Sequence, residues 1–269
     1  MQDQDSAALS AHLSSKDPRQ MFEAGLGLAR SDREQDLREL QESLKSAEFL
    51  QRLDTAENYR GLPGRLHVGR IVKMLGRNPS PAAKHVLVEL TQSATFISAP
   101  ARIDVLITAC ASVRPAPTEV ISFWDKHSQK DDGYTPLTIE AMVNNGSPAA
   151  IELLEKKMAD PSHEDDDKIG WMRSSILTHR NDAVLLRGCR RMLSGPLPAQ
   201  LRPALVEVLF DYRPQEWFRP AAVFKPPDRE QATPEARAEL RKLGEYVLKA
   251  IALSDTQKRA VEATLKNLG

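Results

Sequence analysis

Apolar residues return along this chain at a nearly fixed interval. Val72, Leu106, Ile139, Met172 and Leu205 follow one another at 33 or 34 positions, and Val86, Val120, Ile151, Val184 and Trp217 trail them by 12 to 14. Two apolar faces per period predict hairpins of two helices stacked in series, since one hairpin alone cannot bury both faces. Between these columns the 3.6-residue pattern places helices near 6–15, 18–29, 32–58, 64–77, 81–93, 100–112, 117–128, 136–145, 148–159, 164–178, 182–194, 198–211, 214–222, 234–251 and 255–268.

Local chemistry marks where those helices begin. Asp17-Pro18, Ser80-Pro81, Thr135-Pro136, Ser147-Pro148 and Thr233-Pro234 each put a capping oxygen before a proline at the first helical position, where the missing N–H is no loss. Ser31 with Glu34 and Ser254 with Gln257 have the spacing of a capping box. Short connections such as Asn78-Pro79, Arg114-Pro115-Ala116 and Asn144-Asn145-Gly146 force consecutive helices to lie antiparallel and adjacent.

The expected organisation is an N-terminal helical cap over 1–60, a repeat array over 61–222, a Pro-rich loop at 223–233 and a C-terminal helical cap over 234–269, read as one continuous domain. In the first cap Leu37, Leu40, Leu44, Leu50 and Leu53 keep helical spacing within a highly charged segment, as a terminal repeat with a solvated outer face requires. Hydrophobic residues at 41% with aromatics at only 5% suit thin layers of helix on helix, and strand signals are almost absent. The fold class expected is all-α, a right-handed α-α superhelix of helix pairs.

Weak repeat signatures point in two directions. Asp132-Gly133-Tyr134-Thr135-Pro136-Leu137, with Ala141, Asn145-Gly146 and Ile151-Glu152-Leu153-Leu154, resembles a single ankyrin repeat over 132–157. Over residues 64–222 the long first helices and Pro-punctuated turns resemble the HEAT-like family, including short variants similar to phycobilisome lyases. That resemblance implies an α-solenoid that binds proteins; it carries no catalytic residue to this chain.

Charge is balanced at 37 basic against 37 acidic residues, so no global field draws in nucleic acid or an anionic membrane. Cys110 and Cys189 read as small core residues without metal spacing or a disulfide framework. No run of about 18 apolar residues exists, and Met1-Gln2-Asp3-Gln4-Asp5-Ser6 lacks signal-peptide order. Cytoplasmic residence is expected, with an exported mature chain carrying an added Met as the alternative.

Six positions past the second-helix column come Lys126, Lys157 and Arg190, flanked by His127, Lys156 and Arg191. Stacked hairpins would align these as a cationic ridge able to grip carboxylates; the alternative is that they only complement helix C-terminal dipoles. His163 followed by Glu164-Asp165-Asp166-Asp167 reads as a capped helix start, with Ser162 and Asp165 at capping spacing, and not as a metal loop. Trp217 and one residue each of Phe123/Trp124 and Trp217/Phe218 are expected inside, while an exposed Trp171 beside Tyr134 would make a binding hot spot.

No Gly-x-Ser-x-Gly, phosphate-cradling glycine loop, His-Glu-x-x-His or Cys-x-x-Cys occurs. The function expected is therefore a non-enzymatic scaffold or adaptor, monomeric, without cofactor or metal. It would bind a protein or peptide, acidic in character, through Lys126, Lys157, Arg190, Arg191, Trp171 and Tyr134. Two alternatives stay open: a HEAT-like lyase or chromophore-binding protein, and a structural subunit of a larger complex. A DNA-glycosylase relative would need a strongly basic groove, against which the neutral net charge speaks.

Overall fold

Capping oxygens set the helix starts. In the computed structural model, which describes residues 2–55, 65–130, 132–195, 197–211 and 232–268, the Asp17 carboxylate accepts from the Arg19 N–H at 2.9 Å. The Ser80 and Thr233 hydroxyls accept from Ala83 and Ala236 at 3.2 Å each, and Ser254 with Gln257 forms a complete capping box. Four predicted caps are not made, Ser147 holding the position before Pro148 without a side-chain cap hydrogen bond. Thr135 is already helical and its hydroxyl donates to the Gln129 carbonyl at 3.1 Å. The Ser31 hydroxyl donates to the Asp36 carboxylate at 2.6 Å instead of boxing with Glu34, and Glu164, not Ser162, occupies the cap position before residue 165.

The chain divides into two compact units, Met1–His127 and Ser128–Gly269, a division the sequence pattern does not mark. The first holds α1 (Gln2–Leu13), α2 (Pro18–Leu28), α3 (Glu34–Lys45), α4 (Ala47–Thr55), α5 (Arg65–Arg77), α6 (Pro81–Thr91), α7 (Pro100–Cys110) and α8 (Thr118–Lys126). The helix expected over 32–58 is two helices, because the backbone turns extended at Ser46 (ψ 123°). Within this unit α2 packs on α5 and α5 on α7, while α3 packs on α6 and α6 on α8, which gives two rows.

The second unit holds α9 (Thr135–Asn145), α10 (Pro148–Ala159), α11 (Asp165–Trp171), α12 (Ala183–Ser194), α13 (Arg202–Val206), α14 (Pro234–Ala250) and α15 (Asp255–Asn267). The spans expected at 164–178 and 198–211 are not uniform α-helix. α11 continues through a π turn at Met172–Ile176 into a 3-10 turn, and α13 runs into a second π turn at Glu207–Asp211. α10, α12 and α14 pack in one row; α9 with the first π turn, and that turn with the second, form the other, which α15 continues. Gly146 ends α9 at φ 65°, where a residue without Cβ is unstrained, and its N–H caps the Met142 carbonyl at 3.0 Å.

The apolar columns lie where the pattern puts them. Val72, Leu106, Ile139, Met172 and Leu205 are all fully buried, as are Val120 and Ile151, with Val86 nearly so. Each such side chain contributes about 1.5–3 kcal/mol of burial free energy. Val184 is the exception: it is half-buried, and Leu185 and Leu186 take its place on the inner face of α12. The expected helix 214–222, with Trp217 and Phe218, and residues 223–231 of the Pro-rich loop lie outside the described residues. No described helix is long and apolar enough to cross a membrane, and no strand occurs among the described residues. Both thiols are buried, which pushes Cys189 up to about 12 and raises Cys110 as well.

Candidate functional site

Of the six residues expected to form a binding face, two are buried. Lys126 is exposed in the first unit, and the other five belong to the second. Lys157 is buried, with 4% of its surface accessible, and Trp171 is buried at 6% with its indole edge-on to the His163 ring at 5.1 Å. Trp171 is therefore core and not an exposed anchor. Tyr134 is half-buried at the start of α9.

The two arginines of the expected ridge, both still substantially exposed, face carboxylates of this chain. Arg191 holds the Glu155 carboxylate through both Nε and Nη2, at 3.0 and 2.5 Å, and the bound carboxylate raises the arginine's pKa. Arg190 approaches the buried Glu239 carboxylate at 4.0 Å, a group also flanked by Arg187 at 3.8 Å and Lys242 at 3.1 Å. These two cations offset carboxylates on the neighbouring helices α10 and α14.

A different cationic surface is built in the first unit. α2 and α5 run parallel: the Phe22 ring lies 4.7 Å from that of His67, Gly25 sits against Ile71, and the Asn78 side-chain amide donates to Ala29 O at 3.0 Å and Ser31 O at 2.7 Å. Asn78 is buried and its Oδ1 also accepts from Ser80 N–H at 2.9 Å, so one side chain ties the end of α2 to the α5–α6 turn and sets the register between the two helices. Between them lies an open groove of about 470 Å³. Arg70, Lys73 and Arg77 line one wall at i, i+3 and i+7 of α5, with Met74 between them. Glu23 and Arg30 line the other, and Phe22 and Leu26 add apolar surface.

The cations of this groove differ from those held in ion pairs on other helices. Arg38 pairs with Glu34, Arg52 with Glu48, Lys45 with Glu89 and Arg187 with Glu235, each at 2.7 or 2.8 Å. Among the described residues no carboxylate pairs with Arg30, Arg70, Lys73 or Arg77, although all four are exposed. Arg30 and Arg77 stand at helix C-terminal ends, where the dipole favours a cation by roughly 0.3–1 kcal/mol. Arg70 and Lys73 lie further back in α5, beyond the reach of that effect. Their stripe carries like charges at i, i+3 and i, i+4, each such pair destabilising by roughly 0.2–0.5 kcal/mol.

One signal in the sequence points to this site. Between Glu57 and Glu89 there is no acidic residue, while Arg60, Arg65, Arg70, Lys73, Arg77 and Lys84 all fall there. The balanced total hides that local excess.

Two buried cations elsewhere hold backbone carbonyls. Arg102 donates to the Phe96 and Thr95 carbonyls and to Ser98 Oγ and pairs with Asp54, whose carboxyl is raised by desolvation against the opposing pull of Arg102. Lys168, almost fully buried, donates from Nζ to the Asp160 carbonyl at 2.6 Å and so caps the end of α10. Among the described residues no three His, Cys, Asp or Glu side chains gather as a metal site. The chain matches no family model, no curated protein and no solved structure.

Proposed function

We propose that this chain is a non-enzymatic helical-repeat adaptor, an α-α superhelix of HEAT-like hairpins, and that it binds an acidic segment of a protein partner in the groove between α2 and α5. The observation that carries this reading is the set of four exposed cations gathered around that groove, with none of which a carboxylate pairs among the described residues. Two rows of packed helices in each unit support the repeat architecture. A preformed groove of this kind binds without refolding, so little of the interaction energy is lost to ordering the receptor.

The test is titration of the full chain with a fluorescein-labelled glutamate-rich peptide, followed by anisotropy, for the wild type and for Arg70→Glu/Lys73→Glu/Arg77→Glu. Binding that weakens at least tenfold in the triple variant, and falls with added salt as screening shortens the field to about 8 Å at 0.15 M, is the expected result. An Arg190→Glu/Arg191→Glu variant that still folds retains binding. Equal affinity of wild type and triple variant would remove the groove as the site.

A further inference from the structure

Resting on that reading, we infer that the acidic segment lies in the groove as an amphipathic α-helix, carboxylates toward Arg70, Lys73 and Arg77 and an apolar strip toward Leu26 and Met74. The geometry favours a helical ligand over a strand. A strand docks by adding its backbone to a free sheet edge, and both walls here are helices, which offer no such edge. A helical ligand satisfies its own N–H and C=O groups and presents only side chains, which is all the groove can receive.

The spacing leads to the same conclusion. At a rise of 1.5 Å per residue, Lys73 stands roughly 4.5 Å and Arg77 roughly 10.5 Å along α5 from Arg70. A helix laid alongside repeats its own carboxylates at the same three- and four-residue steps, so three ion pairs form in one register. An extended chain returns a side chain to one face about every 6.6–6.8 Å and falls out of step. Two parallel helices also leave a valley into which a third packs by its side-chain ridges, at an axial separation of about 8–10 Å. Met74 and Leu26, both only half-buried, supply the apolar contact that distinguishes this ligand from a simple polyanion.

Two synthetic peptides of identical composition decide it. Both carry Glu at i, i+4 and i+7, Leu between them and one proline, placed at the first helical position in one peptide and at the centre in the other. Central proline breaks the helix without changing charge or apolar content. Anisotropy with the full chain should give the helix-permissive peptide at least tenfold higher affinity, with a rise in helical circular dichroism on binding; replacing its Leu residues by Ser should weaken it again. Equal affinity of the two proline isomers would overturn the helical reading while leaving an acid-binding groove intact. No binding of either peptide would overturn both. Oligothymidylate displacing the helical peptide at equal charge concentration would replace the inference with a general polyanion surface.

Discussion

Gly188 leaves less room for an added Cβ than any other described glycine, and it yields the sharpest test of the packing. A Cβ built on Gly188 of α12 would stand 2.3 Å from Ile151 Cγ2 of α10 and 3.2 Å from Glu155 Oε1. Ile151 is fully buried and β-branched, so its χ1 is held and the methyl cannot swing aside; α12 must shift instead. Two effects oppose each other in Gly188→Ala. Overpacking a dense core costs about 1–3 kcal/mol, and replacing a mid-helix glycine by alanine returns about 1 kcal/mol of helix propensity. The net expectation is a loss of up to about 2 kcal/mol, or a few degrees in Tm for a unit of this size.

Ile151→Ala alone should cost about 2–5 kcal/mol through the cavity it leaves. In that background the clash is absent, so adding Gly188→Ala should stabilise, by up to about 1 kcal/mol from propensity alone. The sign reversal defines a coupling of about 1–3 kcal/mol, readable from urea unfolding of wild type, both single variants and the double variant by far-UV circular dichroism. If Gly188→Ala shifts the midpoint equally with Ile151 or Ala at position 151, the two helices do not meet there and the interhelical register described for the second unit is wrong.

Two further outcomes follow from the polar interior. Arg102→Lys should lose about 1.5–3 kcal/mol in urea unfolding, because a single ammonium cannot replace the fork that reaches Asp54, Ser98 and two carbonyls; unchanged stability would show those contacts to be idle. The hydrogen bond from Lys45 holds the Glu89 carboxyl below its ordinary value of 4.5. Its stabilisation is therefore fully present above about pH 4.5 and lost as pH falls through the folded-state value. Wild type and Glu89→Gln should differ in urea midpoint at neutral pH and converge in acid, and a constant gap across that range would exclude the pair as its cause.

Helix positions were largely readable because their causes are local. The caps of Ser80, Thr233 and Ser254 involve residues within three positions, and the apolar columns at Val72, Leu106 and Ile139 need only the helical period. Where a competing partner lay close by, the reading failed in detail: Ser31 found Asp36, and Thr135 turned back to Gln129. The π turns after α11 and α13 have no distinct local pattern, since their apolar spacing is that of an ordinary helix.

The candidate face was not readable in the same way. Periodicity put Lys126, Lys157 and Arg190 in one column with Arg191 beside it, but could not see Glu155 and Glu239 on helices neighbouring the two arginines, which decide whether a cation faces a partner or a fellow residue. By itself the sequence determined the helical class, most helix starts, the interval of the apolar columns and the acid-free run from 58 to 88. Tertiary structure alone brought Arg30 across from Arg70, Lys73 and Arg77, buried Trp171 against His163 and set Arg190 and Arg191 beside carboxylates of neighbouring helices. The physical reason is range: a helix is specified by contacts three and four residues apart, whereas the electrostatic surroundings of a side chain are set by whichever helix packs beside it, about 35 to 50 residues away in this chain.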